Sequence, residues 1–291
     1  MSETPPLFSA SVAHGLINAT PLHVRTALDT PEEPSEIMEI GQVSHQVILE
    51  RDVSRVAILA FPDWRTKVAR DTRDATRAAG KTPILAHRWA QVEKMVRAVL
   101  MHTINMRLDP VPFGPNGVAE SSLYFTEQGV QCRATPDWLS LDHLYIYDLK
   151  TTGSAHPGQF SRTLWDKGYA LQEALYRRAV KRVYDIDAEF TFVVVEIEPP
   201  YALSMVALDP EAQVFADMQL DHALDLWKRC LETNLWPGYP TRTCYAEVPT
   251  YLRAQYEMKG YYDAVLVPPR DEGPSGPAGG ASGPFGVRQD L

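Results

Sequence analysis

Two aspartates and a lysine stand in the segment ATPDWLSLDHLYIYDLKTT: Pro136-Asp137, ten intervening residues, then Asp148-Leu149-Lys150. Side chains two apart on a strand point to the same face, so Asp148 and Lys150 project together while Leu149 enters the opposite layer. If Asp137 lies on a hairpin neighbour of that strand, it and Asp148 can hold one hard cation through oxygen. Such a set suits phosphodiester hydrolysis. A magnesium ion, or manganese in its place, polarises the phosphoryl oxygen and lowers the pKa of bound water. A neighbouring ammonium orients that water and stabilises charge on phosphorus during in-line displacement. Short acidic spacings also arise by chance, so the surrounding elements have to supply the context.

The elements that would position these residues are legible from periodicity. SEIMEIGQVSHQVILE reads as a helix with Ser35 as N-cap and Ile37, Ile40, Val43 or Val47, and Ile48 on one face. ILAHRWAQVEKMVRAVLMH reads as a second, with Leu85, Trp89, Val92, Val96 and Val99 at helical steps. Between them, residues 51–81 read as an apolar turn followed by a charged helix. From Glu120 the period changes to that of strands. ESSLYFTEQGVQCRATPDWLS predicts two strands meeting at Glu127-Gln128-Gly129, and DHLYIYDLKTT a third, together a meander. One long helix from about Gly158 to Val183 follows, then the strand EFTFVVVEIEPP, its hairpin partner YALSMVALD, and a helix opened by Pro210. The expected fold class is α/β (α+β), a mixed central sheet flanked by helices with a helical N-terminal elaboration.

A single domain is expected over 1–267, with a helical part over 8–105 and a sheet-helix core over 117–240. The Pro, Gly and Ser-rich stretch 268–291 reads as a flexible tail that buries too little apolar surface to order itself. No stretch approaches the roughly 20 apolar residues of a membrane span, and the first residues lack the order of a signal peptide, so a cytoplasmic protein is expected. Cys132, Cys230 and Cys244 form no CxxC pair and fall short of the four thiolates of an iron–sulfur cluster, which is therefore not expected. The net charge of −9 is unusual for a protein that meets phosphates, but metal charge and a local basic track can offset it.

Four blocks in order, ESSLYF, GVQCRATPD, YIYDLKTT and LQEALYRRAV, resemble those of the PD-(D/E)xK nuclease superfamily, and within it the RecE or exonuclease VIII branch of phages and prophages. The resemblance covers most of residues 8–240 and implies a restriction-endonuclease-like core. It also assigns roles. A lone histidine on an amphipathic helix is ordinarily a surface residue, but the G-x3-H block implies that His45 is a metal ligand. Asp137, Asp148 and the main-chain carbonyl of Leu149 join it, and Lys150 acts on water and phosphate. Glu120 is a further candidate carboxylate at the site. Gln172 and Tyr176, one helical turn apart, resemble a Q-x3-Y block that braces the site and positions DNA. Thr151, Arg133, Arg162 and Lys167 are candidate phosphate contacts by proximity, as is Thr152.

The resemblance further implies a magnesium-dependent exonuclease acting on double-stranded DNA ends, degrading one strand 5′ to 3′ for a single-strand annealing recombinase, and assembled as a homo-oligomeric ring. For a phage-encoded protein the compartment would be the bacterial host's cytoplasm. Two other readings stay open: a RecB-like CRISPR-adaptation nuclease without its iron–sulfur cysteines, and an inactive DNA-end-binding scaffold.

Overall fold

Tyr145–Thr152 (β7) and Glu189–Glu196 (β8) are rich in β-branched and aromatic residues and buried through their middles, as strands covered on both faces must be. They pair in parallel from Tyr145↔Glu189 to Thr152↔Glu196. Trp138–Ser140 (β6) lies antiparallel beside β7, Gly117–Ala119 (β3) beside β6, and Leu203–Val206 (β9) beside β8. The result is a mixed five-stranded sheet in the order β3-β6-β7-β8-β9. The computed structural model from which this is drawn describes residues 6–30 and 36–266.

Parallel neighbours need a crossover. Here it consists of two helices, Pro157–Asp166 (α6) and Tyr169–Tyr184 (α7), where the pattern suggested one. The break falls at Gly168, whose φ of +70° is a left-handed conformation that other residues rarely adopt. A Cβ at Gly168 would also lie 2.4 Å from the ring of His14, so backbone freedom and close packing both require glycine.

Strand alternation divides the interior into two layers. Ile146, Phe190, Phe192 and Val194 face α7, the helix Pro210–Thr233 (α8) and the helix Ala10–Asn18 (α1). Tyr147, Leu149, Val193 and Val195 face the helix Ala86–Asn105 (α5) and a π-helical turn, Gln46–Glu50. That turn continues the helix Glu36–His45 (α3), and Ile40, Val43 and Ile48 of this stretch are buried as their spacing predicts. The Ser35 cap lies outside the described residues. Pro21–Asp29 (α2) follows α1, with the Thr20 hydroxyl accepting from the backbone of His23.

Two local expectations need correction. Val56–Leu59 (β1) is a strand, not a turn, and pairs in parallel with Thr82–Leu85 (β2) around the charged helix Lys67–Ala78 (α4). Leu85 therefore ends a strand instead of opening α5. The three-strand meander is also absent. Leu123–Glu127 (β4) and Val130–Ala134 (β5) form their own two-stranded hairpin, turning at Gln128-Gly129 where both φ are positive. Pro136, which has no N–H to donate, separates that hairpin from β6.

By backbone contacts the chain divides into two units, Met1–Tyr239 and Pro240–Leu291. The second contains the helix Thr250–Leu266 (α9). The tail expected from residue 268 lies outside the described residues. Among those described, no helix is long and apolar enough to cross a membrane.

Candidate metal centre and adjoining cleft

The site exists because β6 is short. It meets β7 only at Trp138↔Tyr147 and Leu139↔Ile146, so the next inward-facing backbone groups of β7, those of Leu149, have no strand partner on that side. Buried N–H and C=O groups left open are costly. The Leu149 N–H donates to Asp137 Oδ2 at 2.7 Å, and the Leu149 carbonyl lies 2.9 Å from His45 Nε2. His45 Nδ1 in turn stands 3.4 Å from Asp137 Oδ2. Glu120 reaches the same place from the end of β3, where its own N–H donates to the Asp137 carbonyl at 3.1 Å and its φ is +51°. A left-handed residue other than glycine costs roughly 1–2 kcal/mol, and here it falls beside the site.

On the other face of β7, Asp148 is wholly buried, and its Oδ1 meets the Lys150 ammonium in a close ion pair. Gln172 on α7 bridges the pair, donating to Asp148 Oδ2 at 2.7 Å and accepting from Lys150 Nζ at 2.9 Å. Tyr169, one turn earlier, sets its ring centroid 4.4 Å from the same Nζ. Burial, then the charge of Asp137, push the Asp148 carboxyl up to about 7 against the pull of Lys150. Burial works against the Lys150 ammonium, but Asp148 and Asp137 outweigh it and raise its pKa, so it stays protonated.

The donor set fits a divalent cation. His45, Glu120 and Asp137 offer an imidazole nitrogen and two carboxylate oxygens, all within 4.8 Å of one another. Among the described residues neither acid forms an ion pair with lysine or arginine. Partial burial, then Asp137, raise the Glu120 pKa, the response of crowded carboxylates that a cation relieves. The 2.9 Å between His45 Nε2 and the Leu149 carbonyl is also near the spacing of adjacent ligands about an ion with bonds of about 2.1 Å. Oxygen donors with one imidazole suit magnesium or manganese better than thiolate-seeking metals. Asp148, expected as a metal ligand, is not among these three: one of its oxygens meets Lys150 and the other Gln172.

Beside the Gln172 bridge opens a cleft of about 370 Å³. Arg133, Lys167, Gln172 and Tyr176 all line it, and so do residues that the sequence did not single out, among them Ser9, His14 and Tyr169. Arg133 and Lys167 are exposed and form no ion pair among the described residues. Burial pushes the Tyr176 phenol up to about 12, which keeps its hydroxyl protonated. Arg162 is exposed on α6 and does not line the cleft. Thr151 Oγ1 packs near Gly41 of α3, and Thr152 Oγ1 accepts from the backbone of Ser154 in the turn after β7. Tyr169 had one signal available, its place three residues before Gln172 on the same helical face. Cys132 is buried in β5, and that burial pushes its thiol up to about 12.

The mixed sheet with its helical crossover, and the acid-lysine pair beside an acidic pocket, define a PDDEXK-like nuclease domain. The chain belongs to the family described as "PDDEXK-like domain of unknown function (DUF3799)", which matches residues 18–248. Its fold is similar to the crystal structure of a candidate exonuclease from Eubacterium rectale, at 11% identity and a TM-score of 0.56, covering 84% of this chain and 91% of that one. A second solved structure, SSO0001, aligns over 69% of this chain and 98% of its own at 14% identity, with a TM-score of only 0.26. No curated protein matches the chain.

Proposed function

We propose that the protein is a magnesium-dependent exodeoxyribonuclease that degrades one strand of linear double-stranded DNA from an end, 5′ to 3′, and exposes single strands for an annealing recombinase. The observation that carries this reading is the juxtaposition on β7 of a buried Asp148–Lys150 pair with an acidic pocket whose carboxylates, among the described residues, pair with no lysine or arginine. The RecE-like blocks supply the polarity and the link to recombination, and they extend the proposal to a ring of several copies.

His45, Glu120, Asp137 and the Leu149 carbonyl would hold the cation, with Asp148 supporting Lys150 behind them. When bound, the ion supplies Lewis-acid polarisation of the phosphoryl oxygen and a water acidic enough to ionise near neutral pH. Lys150, held as an ammonium, donates to phosphate oxygen and stabilises its growing charge; it does not serve as a base. Gln172 keeps both members of the pair in register. Arg133 and Lys167 contact the strand entering the cleft and fix its position without reading its sequence.

The test is digestion of linear duplex DNA carrying label at the 5′ or the 3′ end, in magnesium and then in EDTA. The expected result is metal-dependent release of the 5′ label first, lost in Lys150→Ala. Release in EDTA, or end binding without any cleavage, would overturn the proposal, and the second outcome would favour an inactive end-binding protein.

A further inference from the structure

Lys150 is a flexible four-carbon chain ending in a point charge, and such a group reaches a defined position only if something holds it. Asp148 approaches its ammonium from β7, and Gln172 Oε1 accepts from it at 2.9 Å. A third side is closed by the Tyr169 ring at 4.4 Å, whereas the Phe192 ring is farther, at 5.9 Å. Aromatic faces attract cations within about 6 Å, more strongly where water is excluded.

The ring is itself held. It stacks on Phe160 at 6.1 Å and lies against Phe192 at 6.1 Å. Its direction follows from the helix break. The left-handed Gly168 ends α6 and restarts the chain so that Tyr169 and Gln172, three apart, face β7 together. His14 packs onto Gly168 and places Nε2 3.2 Å from the Asp166 carbonyl, tying the end of α6 to α1. Tyr169 packs against the core through these two rings, but it is only partly buried and also lines the cleft.

We propose that Tyr169 is a positioning residue: its ring face, aimed by the Gly168 break, holds the Lys150 ammonium between Asp148 and Gln172 so that it meets the phosphate already oriented. This rests on the reading of Lys150 as the group that stabilises charge on phosphorus. The hydroxyl has no part in it, so phenylalanine suffices at this position.

The experiment replaces Tyr169 by phenylalanine and then by phenylalanines bearing one, two and three ring fluorines, which keep the shape and progressively remove the negative face. Tyr169→Phe should keep kcat within about twofold, and the series should lower it stepwise by about tenfold in all. KM and the thermal midpoint should not change. In the metal-free protein, the Lys150 Cε protons, assigned by their loss in Lys150→Arg, should show an upfield ring-current shift that Tyr169→Leu abolishes. A flat series in an active enzyme, or no ring-current shift, overturns the positioning role and leaves the nuclease reading intact. A wild-type protein that cleaves no DNA overturns both.

Discussion

Two clusters of charge lie on opposite sides of α7, and their difference separates architecture from chemistry. On the α8 side, Glu173, Asp217, Asp221 and Glu127 each meet a guanidinium. Arg177 Nε donates to Glu173 at 2.6 Å, Arg178 Nε to Asp217 at 2.8 Å and Arg182 Nε to Glu127 at 2.6 Å, while Arg178 pairs with Asp221. On the β7 side, Asp137, Asp148 and Glu120 share one lysine and a histidine. Consecutive residues of one helix serve both, since Gln172 bridges the site and Glu173 anchors the network. A cluster in which every carboxylate meets a guanidinium locks helices together. One with surplus carboxylate is built to receive a cation.

Asp137→Asn should break this contrast most sharply. The amide oxygen still accepts from Leu149 N–H, so folding is expected to hold, while the loss of a ligand should lower cleavage roughly a thousandfold. Parallel measurement of kcat and the thermal midpoint checks this; a comparable loss of stability would move Asp137 into the structural class. Arg177→Ala is the converse. It leaves the fully buried Glu173 without its cation, with only the Gln213 amide donating to it, and should cost about 3 kcal/mol in urea unfolding with the folded fraction's kcat unchanged.

The site should also make stability depend on pH, and Glu173, whose carboxyl is likewise pushed up by burial, should add to the change in the same direction. In the folded, metal-free protein the Asp148 and Glu120 carboxyls lie above their ordinary values, so the native state binds protons more readily than the unfolded chain. Their contribution to stability is present below about pH 4 and is lost as pH rises toward 7. Unfolding of the EDTA-treated protein should therefore become easier between pH 5 and 7.5 by way of this site, and saturating magnesium should reduce the change; no pH dependence in either state would contradict the surplus of carboxylate. The smallest expected effect concerns the cleft. Arg133→Ala should weaken duplex binding several-fold and reduce the salt slope by about 1. Arg162→Ala, outside the cleft, should leave both unchanged, and equal effects would show that the strand runs elsewhere.

Much of this was legible in the amino-acid order because it depends on short-range period. Alternation along YIYDLKTT placed Asp148 and Lys150 on one face and Leu149 on the other, and the helix carrying Gln172 and Tyr176 was readable from its apolar spacing. Asp137, Asp148 and Lys150 were thus identifiable one by one, and the resemblance set His45 and Glu120 beside them. How these residues divide was not legible. That Asp137 joins His45 and Glu120, while Asp148 turns to Lys150 and Gln172, follows from β6 ending early and leaving the Leu149 backbone open, and strand register is set by pairing partners far away in sequence. The break at Gly168 escaped the pattern for a similar reason. A single glycine within a helical period is tolerated in many helices, and only the ring of His14, brought there by tertiary packing, shows why the chain must turn at that residue and so deliver Tyr169 to the lysine.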